Sequence, residues 1–256
     1  MWKSDGTSSG TVMVKDINSG SGSSNPAKFT AVGSTIYFSA NDGMNGHELW
    51  KSDGTTSGTV MVKDINSGSS GSSPAELTAV GNTLYFSAYD GSNGRELWKS
   101  EGASSSTVLV KDIWAGSTGG DPNLFTAIGS TLYFSASDGI NGTELWKSDG
   151  NSSGTLMVKD IYSGSSSSSI GELTAIGSTL YFRAGDGIHQ IELWKSDGTT
   201  SGTVMVKDIN TNNGAFLGSG YPSLFTSVGE TIYFKANDGV YGCLLYTSDA
   251  ADDIRR

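Results

Sequence analysis

The chain has 256 residues, a net charge of −10, 36 glycines and one cysteine. Nucleic-acid binding requires clustered Lys and Arg, so the acidic balance argues against a nucleic-acid partner. The single cysteine, Cys243, excludes an internal disulfide framework and a thiolate metal site. No apolar run is long enough for a membrane-spanning helix, so we expect no membrane insertion.

A tryptophan recurs along the chain at intervals of 48 residues. The five positions are Trp2, Trp50, Trp98, Trp146 and Trp194. A fixed period between about 20 and 50 residues is typical of repeat architectures, in which copies of one supersecondary unit bury each other. The motif around each tryptophan reads "WKSDGT" or a close variant.

Each repeat contains four short segments that alternate apolar and polar residues. In the second full unit these are "LTAVG" (77–81), "TLYFSA" (83–88), "ELWKS" (96–100) and "TVLVKDI" (107–113), which we name strands A, B, C and D. The segments are rich in β-branched and aromatic residues and lack the 3.6-residue helical period. The sequence therefore predicts four β-strands per repeat.

The connections carry distinct turn signals. Gly81-Asn82 predicts a tight A–B hairpin, "DGxNG" joins B to C, and "DGTTSG" or a relative joins C to D. A longer Ser- and Gly-rich linker joins D to the next A. Three consecutive hairpins make a four-stranded antiparallel meander, and its repetition predicts an all-β fold, a β-propeller spanning residues 1–242 as one domain.

The two ends of the repeat array are incomplete. Residues 1–17 supply only strands C and D, and residues 224–242 supply only A and B, so we expect them to combine into one composite blade of a five-bladed propeller. Residues 243–256 resemble a translated sequencing adapter, so we interpret them as a non-native tail. "LLYTSD" nevertheless falls where "ELWKSD" is due, and could pair as a strand.

The "ELWKSDGT" motif resembles the bacterial ELWxxDGT repeat proteins across residues 1–242. This resemblance implies a secreted or cell-surface location and assigns no activity. The sequence begins within the motif, with Met1 in the place of Leu49, so we expect the natural N-terminus to be missing. A looser similarity of architecture links the repeat to tachylectin, a five-bladed lectin. The order of the segments also resembles pyrroloquinoline-quinone-type propeller blades, which implies that strand A is innermost and that the B–C and D–A connections share one face.

The B–C loops offer the clearest candidate ligand site. Each "DGxNGxE" motif brings three oxygen-bearing side chains within seven residues, a pattern that suits calcium but also ordinary turn chemistry, which we favour. In the fourth unit His189 and Gln190 replace Asn-Gly, which weakens a strict metal role there. The candidates are Asp42, Asn45, Glu48, Asp90, Asn93, Glu96, Asp138, Asn141, Glu144, Asp186 and Glu192.

The repeated tryptophans could stack on sugars, but we expect all five to pack in the core between blades. We expect the Lys-Asp pair that closes strand D, as in Lys63-Asp64, to be solvated charge. His47 and His189 occupy non-equivalent positions and carry no expected catalytic role. The fifth linker, 211–223, is four residues longer and adds Phe216, Leu217 and Tyr221, which predicts a plug or a pocket wall.

The repetition of near-identical units indicates which class of function to expect. An enzyme needs a convergent, asymmetric set of groups, whereas near-identical units produce equal sites suited to multivalent binding. We therefore expect a monomeric, non-catalytic module of a secreted or surface bacterial protein, acting in adhesion or as a scaffold, with glycans or surface proteins as partners and no cofactor except possible calcium. A lectin-like glycan binder is the alternative, and a glycoside-active enzyme a distant one.

Overall fold

The structure is a computed structural model that describes residues 1–211 and 219–249. Strands dominate these residues, which include one short 3-10 turn, Ser104–Ser106, and no α-helix. No helix in the described part is long and apolar enough to cross a membrane. The all-β fold predicted from the alternating pattern is confirmed.

The strands form six antiparallel sheets, each continuous in sequence. In the first half they are β1 (Trp2–Lys3) and β2 (Val12–Met13); β3 (Ala27–Val32), β4 (Thr35–Asn41), β5 (His47–Ser52) and β6 (Val60–Lys63); and β7 (Ala75–Val80), β8 (Thr83–Tyr89), β9 (Arg95–Ser100) and β10 (Val108–Lys111). In the second half they are β11 (Asn123–Ile128), β12 (Thr131–Ser137), β13 (Thr143–Ser148) and β14 (Leu156–Lys159); β15 (Gly171–Ile176), β16 (Thr179–Gly185), β17 (Ile191–Ser196) and β18 (Val204–Lys207); and β19 (Ser223–Val228), β20 (Thr231–Asn237) and β21 (Cys243–Asp249).

The four central sheets have four strands each, in the order A, B, C, D that the turn signals predict. The chain divides into two compact units, Met1–Asn123 and Leu124–Arg256. Within each unit, the A strands are where neighbouring sheets meet. Thr30 on β3 donates a hydrogen bond to the carbonyl of Leu77 on β7 (2.9 Å), and Thr126 on β11 donates to that of Leu173 on β15 (3.3 Å).

The composite blade expected at the chain ends is not formed. The edge of β20 that β1 was expected to fill is paired with β21 instead, in a register that sets Ala236 opposite Leu244. β1 pairs only with β2 among the described strands. The reason is loop length: β21 follows β20 through a short turn, whereas β1 lies more than 200 residues away, and closing a longer loop costs more entropy.

Apolar side chains from adjacent sheets fill the space between them. Between β3–β6 and β7–β10, Tyr37, Leu49 and Val62 of one sheet meet Leu84, Phe86, Ala88 and Trp98 of the next. The same positions meet between β11–β14 and β15–β18. Burial of these aromatic and aliphatic groups is the main apolar contribution to each sheet-to-sheet interface.

The lysine that closes strand D also joins neighbouring sheets, so it is not the solvated charge expected from the sequence. The Lys63 ammonium donates to the Thr107 carbonyl of the next repeat (2.9 Å) and lies 5.8 Å from the centre of the Trp98 ring. Lys159 does the same with Thr203 (2.8 Å) and Trp194 (5.7 Å). A cation over an aromatic face adds an attraction to the packing contact.

The tryptophans of strand C are buried, with one exception that corrects the sequence expectation. Trp50, Trp98, Trp146 and Trp194 are 5–7% exposed, whereas Trp2 is 66% exposed. In the buried cases a phenylalanine of strand B lies opposite the tryptophan, as Phe86 does for Trp98. β1 has no strand B beside it, so Trp2 lacks that cover.

This contrast gives a matched pair of substitutions. Trp98→Ala should lower the free energy of unfolding by about 3–5 kcal/mol, because it empties an interface between two sheets. Trp2→Ala should change it by about 0.5 kcal/mol or less, as expected of an exposed position. Urea denaturation followed by circular dichroism measures both. Equal effects would show that Trp98 packing does not hold the sheets together.

Candidate functional site

The aspartate of each B–C loop binds its own turn. Asp42 accepts hydrogen bonds from the backbone NH groups of Met44 (2.9 Å) and Asn45 (2.8 Å) on one oxygen and from the Asn45 amide (2.8 Å) on the other. Asp90 and Asn93, and Asp138 and Asn141, repeat the amide contact at 2.7 Å. The Asp and Asn of "DGxNG" therefore come together, as a turn lock.

These contacts favour the ionised carboxylate. Burial raises the pKa of Asp42, but the backbone NH groups of Asn45 and Met44 and the Asn45 amide lower it by more, so the pKa lies below its ordinary value. The pKa values of Asp90 and Asp138 are lowered in the same way. The loop aspartates are therefore fixed negative charges at neutral pH.

The glutamate of the same motif points away from the loop and into the following D–A linker. Glu48 is fully buried and accepts hydrogen bonds from the backbone NH groups of Ile65 (3.1 Å), Asn66 (3.2 Å) and Ser72 (2.7 Å). The Ser72 hydroxyl donates to its second oxygen. One carboxylate thus accepts from three backbone amide groups of a segment that is not itself a strand.

The other three glutamates make the same contacts in their own repeats, and all are fully buried. Their backbone donors are Trp114 (3.1 Å) and Gly120 (2.6 Å) for Glu96, Ile161 (2.9 Å) and Ser168 (3.0 Å) for Glu144, and Ile209 (3.1 Å) and Gly220 (2.7 Å) for Glu192. We call each such arrangement a glutamate clamp.

Within each unit, the linker that a clamp holds also bonds to the sheets on both sides of it. Ser73 donates its NH to the carbonyl of His47 on β5 (2.9 Å), and the carbonyl of Ser72 accepts from the NH of Tyr89 on β8 (2.9 Å). In the second unit Ser168 bonds to Thr143 and Gly185 in the same manner (3.1 and 2.7 Å). The described residues of these linkers therefore join neighbouring sheets within each unit.

Burial raises the pKa of the clamp glutamates. Desolvation is the largest cause, the backbone NH groups oppose it, and a nearby aspartate of strand D adds repulsion: Asp112 for Glu96, Asp160 for Glu144 and Asp208 for Glu192. The pKa values of these three rise to about 7, and that of Glu48 is also raised.

Glu96 lacks one contact that Glu48 makes. Gly120 stands where Ser72 stands in the first of these linkers, as Gly220 does for Glu192, and a glycine offers no hydroxyl to the second carboxylate oxygen. Within the described residues, that Glu96 oxygen and one buried Asp112 oxygen both lack a hydrogen-bond partner. A proton on Glu96 would relieve the repulsion between the two carboxylates.

The predicted calcium ligands divide between these two structures. Asp42, Asp90 and Asp138 and their asparagines stay in the turn, while Glu48, Glu96 and Glu144 turn to the linker. Within residues 1–211 and 219–249, no group of three or more His, Cys, Asp or Glu side chains is arranged to hold a metal ion. Calcium at the B–C loops stays a prediction without a converged ligand set.

The fourth loop keeps the turn lock with a different partner. His189 Nδ1 lies 2.8 Å from the Asp186 carboxylate, where asparagine amides donate in the other loops. The same role requires a proton on Nδ1. The hydrogen bond to Asp186 raises the pKa of His189.

Gln190 in this loop has a backbone φ of 60°, where the other loops have glycine. A Cβ on Gly46 or Gly142 would lie 2.6 Å from the Gly71 nitrogen or 2.3 Å from the Ser166 oxygen of the adjoining linker. The linker after Gln190 is four residues longer: its clamp spans 28 residues instead of 24. The longer linker therefore occurs in the repeat whose B–C loop has glutamine in place of this glycine.

Sequence reasoning missed several contacts across strands. His47 Nδ1 lies 3.5 Å from the hydroxyl of Ser39, which is buried, and Arg95 occupies the same position in the next repeat and donates to Ser87. Arg183 stacks 4.7 Å from the ring of Tyr221. Strand pairing places His47 near Ser39 and Arg95 near Ser87, whereas Tyr221 reaches Arg183 from a linker. Phe216 and Leu217, expected to form a plug or a pocket wall, lie outside the described residues.

The comparisons with known proteins show a similarity of fold. No protein-family model and no curated protein matches the chain. Among solved structures, it is similar to a prolyl endopeptidase (10% identity, TM-score 0.57, covering 90% of this chain) and to a puromycin hydrolase (15% identity, TM-score 0.54, covering 89%). The chain spans 35% of each. These likenesses support a propeller-like all-β fold.

The comparisons contradict the function expected from the sequence. The adhesion or scaffold module, with the glycan-binding and glycoside-active alternatives, is wrong: the solved structures that share the fold are named as a hydrolase of puromycin and as an endopeptidase. The repeat of near-identical units, which suggested multivalent binding, is explained by the clamp and the inter-sheet core.

The raised pKa of Glu96 predicts a pH dependence. Since its folded-state pKa is about 7 and its ordinary value is 4.5, the folded protein binds the proton more tightly. Its stabilising contribution is complete below the ordinary value and is lost as the pH rises through 7. Glu96→Gln, which stays neutral, should flatten the fall in urea midpoint between pH 5 and 8. The exposed Glu101→Gln control should leave the wild-type slope, and a wild-type slope in Glu96→Gln would contradict the assignment.

Residues 142 and 190 occupy equivalent positions in their B–C loops, and we expect substitutions there to change stability in opposite directions. Gly142→Ala should lower the free energy of unfolding by about 1–3 kcal/mol, since its Cβ meets the Ser166 carbonyl in a left-handed conformation. Gln190→Gly should raise it by about 0.5–1 kcal/mol by removing a side chain from that conformation. Thermal and urea denaturation test both, and a stabilising Gly142→Ala would contradict the close approach of the linker.

Proposed function

We propose that this chain is a β-propeller domain of a larger hydrolase and that it binds substrate without cleaving it. The observation that carries the proposal is the likeness to a puromycin hydrolase and a prolyl endopeptidase, of which the chain spans 35%. A region of that size supplies part of a protein. The substrate class that follows is a peptide or an aminoacyl compound such as puromycin.

The use of the acidic groups supports the proposal that the chain alone is not an enzyme. The clamp glutamates accept hydrogen bonds from the linkers, and the loop aspartates accept them from their own turns. Catalysis requires groups that converge on a reacting atom, with open access to it. The Ser39–His47 pair has a long contact of 3.5 Å, and its serine is buried inside the sheet.

The finer architecture and the location belong to the same proposal. We take each four-stranded sheet as one blade, and the two-stranded and three-stranded sheets as incomplete blades. The "ELWKSDGT" motif supports membership of the ELWxxDGT repeat proteins, and with it a secreted or cell-surface location. The acidic surface suits such a soluble environment.

Substrate assays test this function. The purified chain is incubated with puromycin and with a prolyl p-nitroanilide peptide, and binding of each is measured by calorimetry. We expect saturable binding of one of them and no release of product, since the reacting groups lie elsewhere in the larger protein. The Ser39→Ala variant should behave like the wild type.

Two outcomes would contradict the proposal. Product release by the wild-type chain, lost in Ser39→Ala, would place catalysis within these sheets. The absence of binding to either compound at millimolar concentration would remove the substrate-binding role.

A further inference from the structure

Large apolar side chains stand exposed at the tips of the B–C loops in the second unit. The residue between Gly and Asn of "DGxNG", or its equivalent, is Ile140, Ile188 and Val240, and these are 72%, 77% and 70% exposed. In the first unit the same position holds Met44, which is 73% exposed, and Ser92. A serine satisfies the turn, so the turn itself does not require an apolar side chain there.

The backbone holds each tip in a fixed conformation. The NH groups of Ile140 (2.9 Å), Ile188 (2.8 Å) and Val240 (2.9 Å) donate to the aspartate two residues earlier. A side chain presented by a locked turn loses little conformational entropy when a partner covers it.

The three loops lie at the same end of consecutive sheets. Thr126 joins β11 to β15, and β15 contacts β19, so the sheets that carry the loops are neighbours. Gly187, next to Ile188, lies against the ring of Tyr162 from the preceding linker. Neighbouring sheets are on the order of 10 Å apart, so one bound segment can reach consecutive tips.

The same end of the unit is acidic. Asp138 and Asp186 lie beside the tips, and Asp160 and Asp208 begin the adjoining linkers. Two lysines of the unit extend to the opposite end, where Lys147 donates to Gly198 (2.8 Å) and Lys159 to Thr203 (2.8 Å). Two of the cationic groups near the tips are paired, His189 with Asp186 (2.8 Å) and Arg183 with Glu172 (3.8 Å), whereas Lys207 and Lys235 are exposed, so the aspartates outnumber the exposed lysines.

We propose that Ile140, Ile188 and Val240 form a docking surface, the tip surface, for a polypeptide segment that carries both large apolar and basic side chains. Apolar residues at the centre with charge at the rim is the usual anatomy of a protein interface. The acidic rim selects a basic partner and disfavours a second copy of this acidic chain or an anionic bilayer. This proposal is independent of the substrate-binding function above.

The test compares two variants of the whole chain, one with three substitutions and one with two. Ile140→Ser/Ile188→Ser/Val240→Ser removes the apolar tips, with Ser92 as the natural precedent for serine at this position. Leu156→Ser/Val204→Ser removes exposed apolar side chains at the starts of β14 and β18, away from the tips. All substitutions leave the net charge unchanged, and circular dichroism checks that both variants fold.

The probe is a fluorescein-labelled 18-residue peptide of leucine and lysine, compared with its leucine and glutamate counterpart by fluorescence anisotropy. We expect saturable binding of the lysine peptide to the wild type and to the double variant, at least about tenfold weaker binding to the tip variant, and no binding of the glutamate peptide.

Several results would overturn the proposal. Equal affinity of the tip variant and the wild type would show attraction by charge alone. Binding of both peptides would show that the acidic rim does not select. No binding of the lysine peptide would remove the partner, and adsorption to phosphatidylcholine vesicles without peptide binding would make the occupant a membrane.

Discussion

The glutamate clamp is the interaction on which the arrangement of neighbouring sheets within each unit depends. A long linker rich in serine and glycine is not itself a strand, and Glu48, Glu96, Glu144 and Glu192 supply acceptors for amide groups that no sheet ladder pairs. A buried backbone NH without a partner is costly, so these carboxylate acceptors stabilise the linker conformation. Within each unit that linker bonds to the sheets on both sides, so the clamp holds a segment of flexible composition in place between two sheets.

The clamp has an electrostatic cost that the other contacts must offset. Burying an ionised carboxylate is unfavourable, and an aspartate of the following strand adds like charge in at least three repeats. Backbone NH groups and, for Glu48, the Ser72 hydroxyl oppose both terms. Where Gly120 replaces that serine, no hydroxyl offsets the burial of Glu96, and within the described residues one of its oxygens has no hydrogen-bond partner.

Local sequence signals predicted the repeated sheet well, and contacts across repeats poorly. The alternation in "TLYFSA" and the turn residues specified four strands, their order and the buried tryptophans of complete repeats. They did not show that Glu48 leaves its loop for a linker 24 residues away, or that Lys63 reaches the next sheet. The predictions for Trp2 and for the composite blade were wrong for the same reason. Both assumed a distant strand partner, whereas β20 pairs with the nearby β21.

The positions that repeat in every unit and the positions that vary between units have separate physical roles in this chain. The repeated residues, such as Trp98 and Glu96, are buried and bind their own neighbours, so they leave little that a partner could recognise. The variable position of the B–C loop is different, because Asp138 or Asp186 locks the turn through the backbone whatever side chain follows. The turn therefore does not require the side chains of Ile140 and Ile188. An exposed apolar residue at this position is best explained by a partner that it contacts outside the chain.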